Sequence, residues 1–379
     1  MTQDSALERR LDAVIDTALA EQRIVGAVVM VARDGEVAYA RAAGLADREA
    51  GTPVRRDSIF RYASLTKPIV SAAALGMAEE GRLGFDDPVT RFLPDFRPRT
   101  AAGAEPVITI RHLMTHTSGL TYDFMEPPDS AYHATGISNG FDVPGVSMAD
   151  NLGRIVGWPL SFEPGTAWNY SVSTDVLGAA LAAAAGESLP DLVRRRVTGP
   201  LGMKDTDFRV VDLGRLTAAY ADSPEGPVRM GERHSIPFAV SPLNYAPDRI
   251  LDPASFPSAG AGMAGTADDY LTFLETLRTG GGVILKPQSA ALFARNAIGD
   301  IPVTLAGPGF GFSLGAGLML DPAAAGTPQS AGTWSWGGVY GASWFVDPAR
   351  QLTVVILTNT AIEGMIGAFT IGVREAVYA

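Results

Sequence analysis

The chain contains no cysteine among its 379 residues. This absence excludes disulfide bridges, thiol catalysis and thiolate metal sites together. It does not fix the compartment, because a protein without cysteine is stable in either redox environment. Lysine is almost as scarce, since only Lys67, Lys204 and Lys286 occur. Arginine therefore carries nearly all of the positive charge, and each lysine is a candidate for a specific role.

Long apolar runs and an excess of basic residues are also missing. The net charge of −11 at pH 7 argues against a nucleic-acid partner, which would require a basic stripe. No run reaches the ~20 apolar residues of a membrane span. Residues 1–22 have the pattern of a charged amphipathic helix and lack the apolar core of a signal peptide. We therefore expect a soluble, cytoplasmic protein without a membrane span.

Both ends of the chain carry strand patterns. Two β-rich runs at 25–32 and 36–43 are joined through Asp34-Gly35, which is a strong hairpin signal. Near the C-terminus, strands are predicted at 309–320, 333–339, 343–346 and 352–357, followed by a helix at 361–378. These patterns predict an α+β fold in which one antiparallel sheet is built from both termini and flanked by the terminal helices.

The middle of the chain is richer in helix patterns. Residues 64–80 are almost wholly apolar after the first turn and predict a buried helix that ends at Gly81. Residues 108–116 and 173–185 are further helix candidates, whereas 121–150 are loop-like. We expect residues 1–80 and 255–379 to form an α/β domain, residues 81–254 to form an inserted, mainly helical domain, and the active site to lie between them.

The first candidate for chemistry is the pair Ser64 and Lys67. Residues three apart share one face of a helix, so the lysine amine would lie over the serine hydroxyl. Serine needs a nearby base to become a nucleophile, and lysine can act as one when burial lowers its pKa. Pro68 supports a helix start near Ser64. The structural alternative is that Ser64 only caps the helix.

Two further motifs are candidates for the same site. Residues 164–171 contain a Pro-Gly turn and then an extended stretch, from which Trp168 and Tyr170 are expected to project on alternate sides. A phenol beside a cation can transfer protons, although Tyr170 could equally be a packing residue. Residues 336–338, Trp-Gly-Gly, suggest a strand that a substrate approaches closely, with a bulge as the alternative.

Taken together, these motifs resemble one family of enzymes. The S-x-x-K motif, the tyrosine and the glycine-bearing strand occur in the order of serine β-lactamases and penicillin-binding proteins, and 110–120 and 262–270 are also similar. The branch that the chain resembles is the family VIII carboxylesterases of the EstB type, through residues 64–68, 336–338 and 340–347. The resemblance spans nearly the whole chain and implies a β-lactamase-like fold and a cofactor-free serine esterase.

The chain departs from class C β-lactamases at two positions. Trp336 stands where those enzymes carry the lysine of Lys-Thr-Gly, and Val172 stands where their tyrosine motif carries asparagine. Losing the lysine charge removes an attraction for a substrate carboxylate, and losing the amide removes a polar contact. We therefore expect a site that favours neutral, apolar groups and esters over lactams.

Two other motifs are expected to be silent. Residues 136–140 match G-x-S-x-G, but Ser138 lacks the preceding strand and following helix that a nucleophile elbow requires. His112 and His116 are four residues apart, yet the glutamate of H-E-x-x-H is missing, so we expect no metal site. Asp175 could support the site or simply start a helix.

The expected reaction is two-step acyl transfer without a cofactor. Ser64 would attack the ester carbonyl, Lys67 and Tyr170 would act as a coupled base, and the N–H groups of Ser64 and Val339 would form the oxyanion hole. Trp336, Gly337 and Gly338 would bind the substrate, a small-molecule ester with a short to medium acyl chain.

The rival functions on the same fold are a β-lactamase or D,D-peptidase, including weak β-lactamase activity beside esterase activity, and an acyltransferase. A non-enzymatic scaffold is a rival of another class, and the intact Ser64, Lys67 and Tyr170 set argues against it. Composition and motifs leave the oligomeric state open between monomer and homodimer.

Overall fold

A computed structural model of the protein describes residues 5–379. In chain order, the strands are β1 (Gly26–Arg33), β2 (Glu36–Asp47), β3 (Thr52–Pro53), β4 (Phe60–Arg61), β5 (Tyr220–Ala221), β6 (Val228–Arg229), β7 (His234–Ile236), β8 (Leu243–Tyr245), β9 (Ala264–Gly265), β10 (Phe310–Phe312), β11 (Gly317–Met319), β12 (Trp334–Gly338), β13 (Ala342–Asp347) and β14 (Leu352–Thr358). The α-helices are α1 (Ser5–Ala20), α2 (Thr66–Glu79), α3 (Ile110–Met114), α4 (Met148–Val156), α5 (Ser173–Ala185), α6 (Leu189–Val193), α7 (Ala267–Arg278), α8 (Pro287–Ala290), α9 (Pro322–Ala325), α10 (Glu363–Ile366) and α11 (Ala368–Tyr378).

The main sheet has eight antiparallel strands in the order β10-β11-β12-β13-β14-β1-β2-β3. The two ends of the chain meet where β14 pairs with β1, with Leu357 opposite Val28. Asp34 and Gly35 join β1 to β2 with positive φ values of 55° and 87°, as the hairpin turn requires. The predicted α+β fold, with an antiparallel sheet built from both termini, is confirmed.

Helices cover both faces of this sheet. Alternate residues of a strand point to opposite faces. Val29 and Val31 therefore pack in a cluster with α1 and α11, while Val28 and Met30 pack in the larger core with α2 and α7. Because β1 is buried on both faces, its sequence is an unbroken apolar run without alternation.

Several predicted boundaries differ from the observed ones. The single strand predicted at 309–320 is divided into β10 and β11, because the chain turns at Ser313, whose N–H donates to the Ala316 carbonyl at 2.8 Å. The helix predicted at 361–378 is interrupted at Gly367, between α10 and α11. The helix predicted at 108–116 shortens to α3, which Thr109 caps and after which His116 adopts a φ of 58°.

The larger hydrophobic core joins the sheet to the middle of the chain. It includes Met77 of α2, Leu113 of α3 and Val176 of α5, so it crosses the predicted boundary at residue 80. The division into a domain of 1–80 with 255–379 and an inserted domain of 81–254 stays a prediction. In residues 5–379 no single helix is long and apolar enough to cross a membrane; Ser173–Ala185 and Leu189–Thr198 reach that length and composition only as a pair bent by 81°.

The cluster beneath α1 provides a test of this architecture. Leu11 is 0% exposed, so Leu11→Ala should lower the free energy of unfolding by about 2–5 kcal/mol, through lost apolar burial and the cavity left behind. The exposed Thr17 lies on the same helix, and Thr17→Ala should change that free energy by less than about 0.5 kcal/mol. Urea unfolding of both variants measures the difference; equal effects would contradict the packing of α1 on the sheet.

Candidate active site

Ser64 lies in a short 3-10 helix, Ala63–Leu65, that leads directly into α2. Ala63 has a φ of 46°, a left-handed conformation that costs a residue with a Cβ about 1–3 kcal/mol. Strain of this kind persists only where the surrounding structure holds it. The Ser64 side chain is 6% exposed and lines a cavity of about 390 Å³.

Lys67 is buried one helical turn after Ser64, with 4% of its surface exposed. Its Nζ donates to Ser64 Oγ at 3.2 Å and to the Gly260 carbonyl at 2.8 Å. The same nitrogen lies 4.6 Å from the Tyr170 ring centroid and 5.4 Å from that of Tyr122. Among residues 5–379 no carboxylate forms an ion pair with this amine, so hydrogen bonds and aromatic faces surround it.

Tyr170 reaches the same serine from the other side of the cavity. Its hydroxyl donates to Ser64 Oγ at 2.7 Å. The loop that carries Tyr170 is fixed by two backbone hydrogen bonds, from Asn169 N–H to the His116 carbonyl at 2.9 Å and from Gly165 N–H to the Thr117 carbonyl at 2.7 Å. The structure therefore brings the Lys67 amine and the Tyr170 phenol, both predicted from the sequence, to the hydroxyl oxygen of Ser64.

Trp336 is the next residue in this chain of hydrogen bonds. Its indole Nε1 donates to the Tyr170 hydroxyl at 3.0 Å. The sequence predicted only that Trp336 removes a lysine charge and favours neutral, apolar groups. Although tryptophan carries no charge, its indole N–H points at the phenol oxygen of Tyr170 and stabilises negative charge there.

The glycines after Trp336 allow β12 to pass close to the nucleophile. A Cβ on Gly338 would lie 2.3 Å from the carbonyl oxygen of Tyr62, and one on Gly337 would lie 2.6 Å from Met365 Cγ. The sequence pattern predicted a close approach by substrate. In the structure the approaching groups at these two positions belong to the protein itself.

Val339 follows these glycines and lines the same cavity as Ser64. The Tyr245 hydroxyl donates to the Val339 carbonyl at 3.0 Å, which anchors the backbone at Val339 to β8. The oxyanion hole formed by the N–H groups of Ser64 and Val339 stays a prediction.

The walls of the cavity near Ser64 are mainly aromatic. Phe124, Phe238 and Phe310 line it together with Tyr170 and Trp336. Such walls suit an apolar group next to a carbonyl, because contact with them removes apolar surface from water.

Trp168 and Tyr170 lie on the same side of their extended segment. Their rings are stacked with an interplanar angle of 15° and a centroid distance of 6.2 Å. The expectation that they project on alternate sides is wrong, because residues two apart in an extended chain share a face. Trp168 therefore supports the ring of Tyr170.

His116 packs against Tyr170 with ring centroids 4.7 Å apart. Burial, and then the nearby Lys67 ammonium, hold the pKa of His116 well below its ordinary value. Its Nδ1 lies 3.3 Å from Ser171 Oγ. The ring of His112 accepts the N–H of Thr109 through Nδ1 at 3.3 Å as part of a helix cap. Within residues 5–379 no group of three His, Asp or Glu side chains is arranged to hold a metal ion.

Asp175 supports the site from behind Lys67. It is 0% exposed, and its Oδ1 accepts from Ser258 Oγ at 2.7 Å and from the Gly260 N–H at 3.1 Å. Asp175 thereby anchors the N–H of the residue whose carbonyl binds Lys67, while burial raises the pKa of its own carboxyl. The sequence left Asp175 undecided and did not identify Gly260, where a Cβ would lie 2.9 Å from Asp175 Oδ2. A contact between segments so far apart in the chain gives no local signal.

Ser138, the serine of the G-x-S-x-G motif, is separate from this constellation. It is 0% exposed, and its hydroxyl donates to Asp142 Oδ1 at 2.7 Å. Asn151 is bound to both the N–H and the carbonyl of Ser138. These contacts give the motif a role in fixing a loop.

Comparisons with known proteins place the chain among related enzymes. The family model described as Beta-lactamase matches residues 11–371. The chain is 50% identical to Esterase EstB of Burkholderia gladioli over 378 residues, which cover 99% of this chain and 96% of the esterase. EstCE1, a hydrolase with promiscuous acyltransferase activity, superposes with a TM-score of 0.95 and 43% identity over 100% of both chains. A class C beta-lactamase superposes with a TM-score of 0.72 and 18% identity over 100% of this chain and 96% of its own.

The buried His116 predicts how stability depends on pH. Because its pKa lies below that of the unfolded chain, unfolding takes up a proton at low pH, so stability is full above about pH 6.5 and falls below it, by up to about 1.4 kcal/mol per pH unit. His116→Asn, which tolerates the positive φ, should reduce this fall. Urea unfolding at about pH 7.5 and about pH 5.5 measures it.

The matched control for this experiment is His133→Asn. His133 is exposed, with its Nε2 2.9 Å from the Pro127 carbonyl, so the variant should keep the wild-type pH dependence. If His116→Asn lost as much stability at low pH as the wild type, burial of a neutral imidazole would not be the cause.

Proposed function

The chain belongs to the beta-lactamase family, and from this membership we propose that it hydrolyses carboxylic esters by two-step acyl transfer on Ser64. One observation carries the proposal: Ser64 Oγ accepts hydrogen bonds from both Lys67 and Tyr170 at the wall of an apolar cavity. A serine placed this way has its proton acceptors in position before a substrate enters. The 50% identity to an esterase supports an ester as the substrate.

Acylation begins when the Lys67 and Tyr170 pair has lost one proton. One of the two donors to Ser64 Oγ then becomes an acceptor, takes the serine proton and leaves the oxygen free to attack the ester carbonyl. The two groups are within hydrogen-bond distance of the same atom, so either of them is placed to exchange the serine proton. The ammonium of Lys67 and the indole N–H of Trp336 stabilise negative charge on the phenol oxygen during this step.

The tetrahedral intermediate carries its negative charge on the former carbonyl oxygen. The N–H groups of Ser64 and Val339 would bind this oxyanion, and the start of α2 adds partial positive charge. The hydrogen bond from Tyr245 to the Val339 carbonyl anchors the backbone of this residue, which would help to keep its N–H in position. Collapse of the intermediate breaks the bond to the alkoxy oxygen, and Tyr170 returns the proton to the leaving alcohol.

Deacylation repeats the sequence with water. The same pair takes a proton from the water, the resulting hydroxide attacks the acyl carbonyl, and Ser64 Oγ leaves with the returned proton. The products are a carboxylic acid and an alcohol. The cavity of about 390 Å³, with its aromatic walls, favours short to medium acyl chains.

Acyl transfer to an alcohol is the second candidate function. The observation that favours it is the 43% identical structure described as a hydrolase with promiscuous acyltransferase activity. A second alcohol would replace water as the acceptor of the acyl group. Lactam cleavage is less favoured, because β12 carries Trp336 at the position where class C β-lactamases carry a lysine. Oligomeric state and cytoplasmic location stay predictions.

Replacement of the nucleophile tests the proposal. Ser64→Ala should abolish turnover of p-nitrophenyl butyrate and labelling by a fluorophosphonate, because no oxygen remains to carry the acyl group. Ser138→Ala should keep both, since its hydroxyl bonds to Asp142 away from the cavity. A panel with nitrocefin and added alcohols separates esterase, lactamase and transferase activities. Full activity of Ser64→Ala would refute the assignment.

Replacement of Trp336 tests the indole hydrogen bond. Trp336→Phe keeps an aromatic wall but removes the N–H that stabilises negative charge on Tyr170, and a hydrogen bond to a charged group contributes about 1.5–3 kcal/mol. We expect kcat for p-nitrophenyl butyrate to fall about tenfold or more. Trp158→Phe, whose ring packs on Tyr132 outside the cavity, is the control and should keep its kcat. An unchanged kcat in Trp336→Phe would show that the N–H is dispensable.

A further inference from the structure

The cavity at Ser64 continues past the edge of β12 to the opposite face of the sheet. Beyond Gly337 and Met365, its lining passes to residues that face α10 and α11. We call this part the outer arm; it is lined by Gln329, Ser335, Ser343, Phe345, Ile356, Ile366, Thr370, Ile371 and Arg374. Phe345 and Ile356 belong to the cluster beneath the terminal helices, which places the outer arm on that face. β11 pairs with β12 only at Trp334 and Ser335, so no strand of residues 5–379 covers the edge at Gly337.

The walls of the outer arm are apolar and partly exposed. Ile366 is 58% exposed and Ile371 is 40% exposed, while Phe345 and Ile356 form the floor from the sheet. Leu305, 37% exposed, lines the same cavity. Exposed apolar side chains that border one groove mark a binding surface, because covering them removes apolar surface from water and lowers the free energy. A hydrocarbon chain that extends from an ester at Ser64 would cover it.

Arg374 is the charged residue of this lining, which contains no Asp or Glu. Its side chain is half-buried, and among residues 5–379 it makes no hydrogen bond or ion pair. The Nε atom is fully buried without an acceptor. Burial lowers the pKa of this guanidinium, and the charges of the nearby Glu375 and Tyr378 offset this effect only in part.

Other buried arginines of the chain have partners. The Arg278 side chain, 8% exposed, is paired with Glu275 at 2.7 Å. The Arg61 side chain, also 8% exposed, donates to the carbonyls of Pro247 and Thr217 at 2.8 Å each. The guanidinium of Arg374, which lies in a cavity wall without a partner among the described residues, therefore differs from these paired arginines. A desolvated charge lowers the stability of the fold unless an opposite charge or a hydrogen bond compensates it.

A second donor lines the outer arm with Arg374. Gln329 is 6% exposed, and its Oε1 accepts from Thr327 Oγ1 at 3.3 Å. Its amide nitrogen donates no hydrogen bond within the described part of the chain. The hydroxyls of Ser335 and Ser343 add further donors to the same lining. The polar groups of the outer arm are thus those that bind a carboxylate.

We propose that the outer arm binds the far end of the ester substrate and that this end carries a carboxylate, which pairs with Arg374. The inference rests on the proposed esterase function and deepens it, because it names the substrate class: esters whose acyl or alkoxy chain ends in a carboxylate. The aliphatic chain lies along Ile366 and Ile371, and the guanidinium binds the carboxylate in its planar, two-point geometry. The loss of the lysine charge at Trp336 is then compensated farther along the cavity.

The test uses p-nitrophenyl monoesters of dicarboxylic acids from succinate to dodecanedioate, each beside a neutral ester of the same chain length. At the lengths that reach Arg374, kcat/KM should be higher for the carboxylate ester than for its neutral counterpart. A second comparison shows which side of the ester carries the carboxylate. Monomethyl esters of the same acids carry it on the acyl chain, whereas ω-carboxyalkyl acetates carry it on the alkoxy chain. Hydrolysis of both series is followed by acid release.

Two arginine variants show whether Arg374 causes the preference for carboxylate esters. Arg374→Gln should lower kcat/KM for the preferred carboxylate ester about ten- to hundredfold more than it lowers kcat/KM for p-nitrophenyl butyrate, and mainly through KM. Arg350→Gln is the matched control, because its guanidinium lies over the Tyr378 ring outside the cavity, and it should leave both substrates unchanged.

The outcomes separate this inference from the proposed function. If neutral esters are hydrolysed but no carboxylate ester is preferred, or if Arg374→Gln affects both substrates equally, the role of Arg374 is refuted while the esterase proposal stands. If the wild type hydrolyses no ester in either series, the proposed function fails first. A binding measurement that does not depend on turnover of the long esters is the inhibition of p-nitrophenyl butyrate hydrolysis by sebacate. This inhibition should be weaker in Arg374→Gln.

Discussion

Burial of the Lys67 amine between the Ser64 hydroxyl and the Gly260 carbonyl is the interaction on which the candidate site depends. An amine that is 4% exposed and lacks a paired carboxylate is stable only if other groups replace its water. The Gly260 carbonyl does so, and Asp175 anchors the same residue through its N–H. The rings of Tyr122 and Tyr170 add their negative faces. The surroundings that stabilise the amine therefore also place it on the nucleophile.

The fold supplies this arrangement by bringing three distant segments to the start of one helix. The almost wholly buried α2 fixes Ser64 and Lys67, and the loop before α5 delivers Tyr170. β12 completes the site from the sheet, and it can come this close only because Gly338 has no Cβ to meet the Tyr62 carbonyl. The left-handed backbone at Ala63 is the local cost of aiming the serine into the cavity.

The sheet that closes the fold also extends the site. Since β14 pairs with β1, the two ends of the chain form one structural unit, and α11 lies against the face opposite the nucleophile. The free edge of β12 connects the two faces through one cavity. A residue near the C-terminus, Arg374, thereby becomes part of the lining that begins at Ser64. Packing of the terminal helices and selection of substrate are consequently linked in this protein.

The sequence by itself determined the elements and the local chemistry. Periodicity gave α2 and α5, Asp34-Gly35 gave the hairpin between β1 and β2, and the spacing of Ser64 and Lys67 placed amine over hydroxyl, because these features depend on residues close together in the chain. The fold class followed from the strand patterns at both ends of the chain, and the family followed from the resemblance of its motifs and their order to those of known enzymes.

Only the tertiary structure decided which distant groups meet. It showed that Trp336 donates to Tyr170 and that Gly260 binds Lys67. It also showed that the Arg374 side chain lines the cavity without a hydrogen-bond or ion-pair partner among residues 5–379. These contacts join segments separated by long stretches of chain, so neither periodicity nor spacing contains them. The physical reason is that a hydrogen bond or an uncompensated charge depends on distances in space, which the sequence specifies only through the packing of the whole chain.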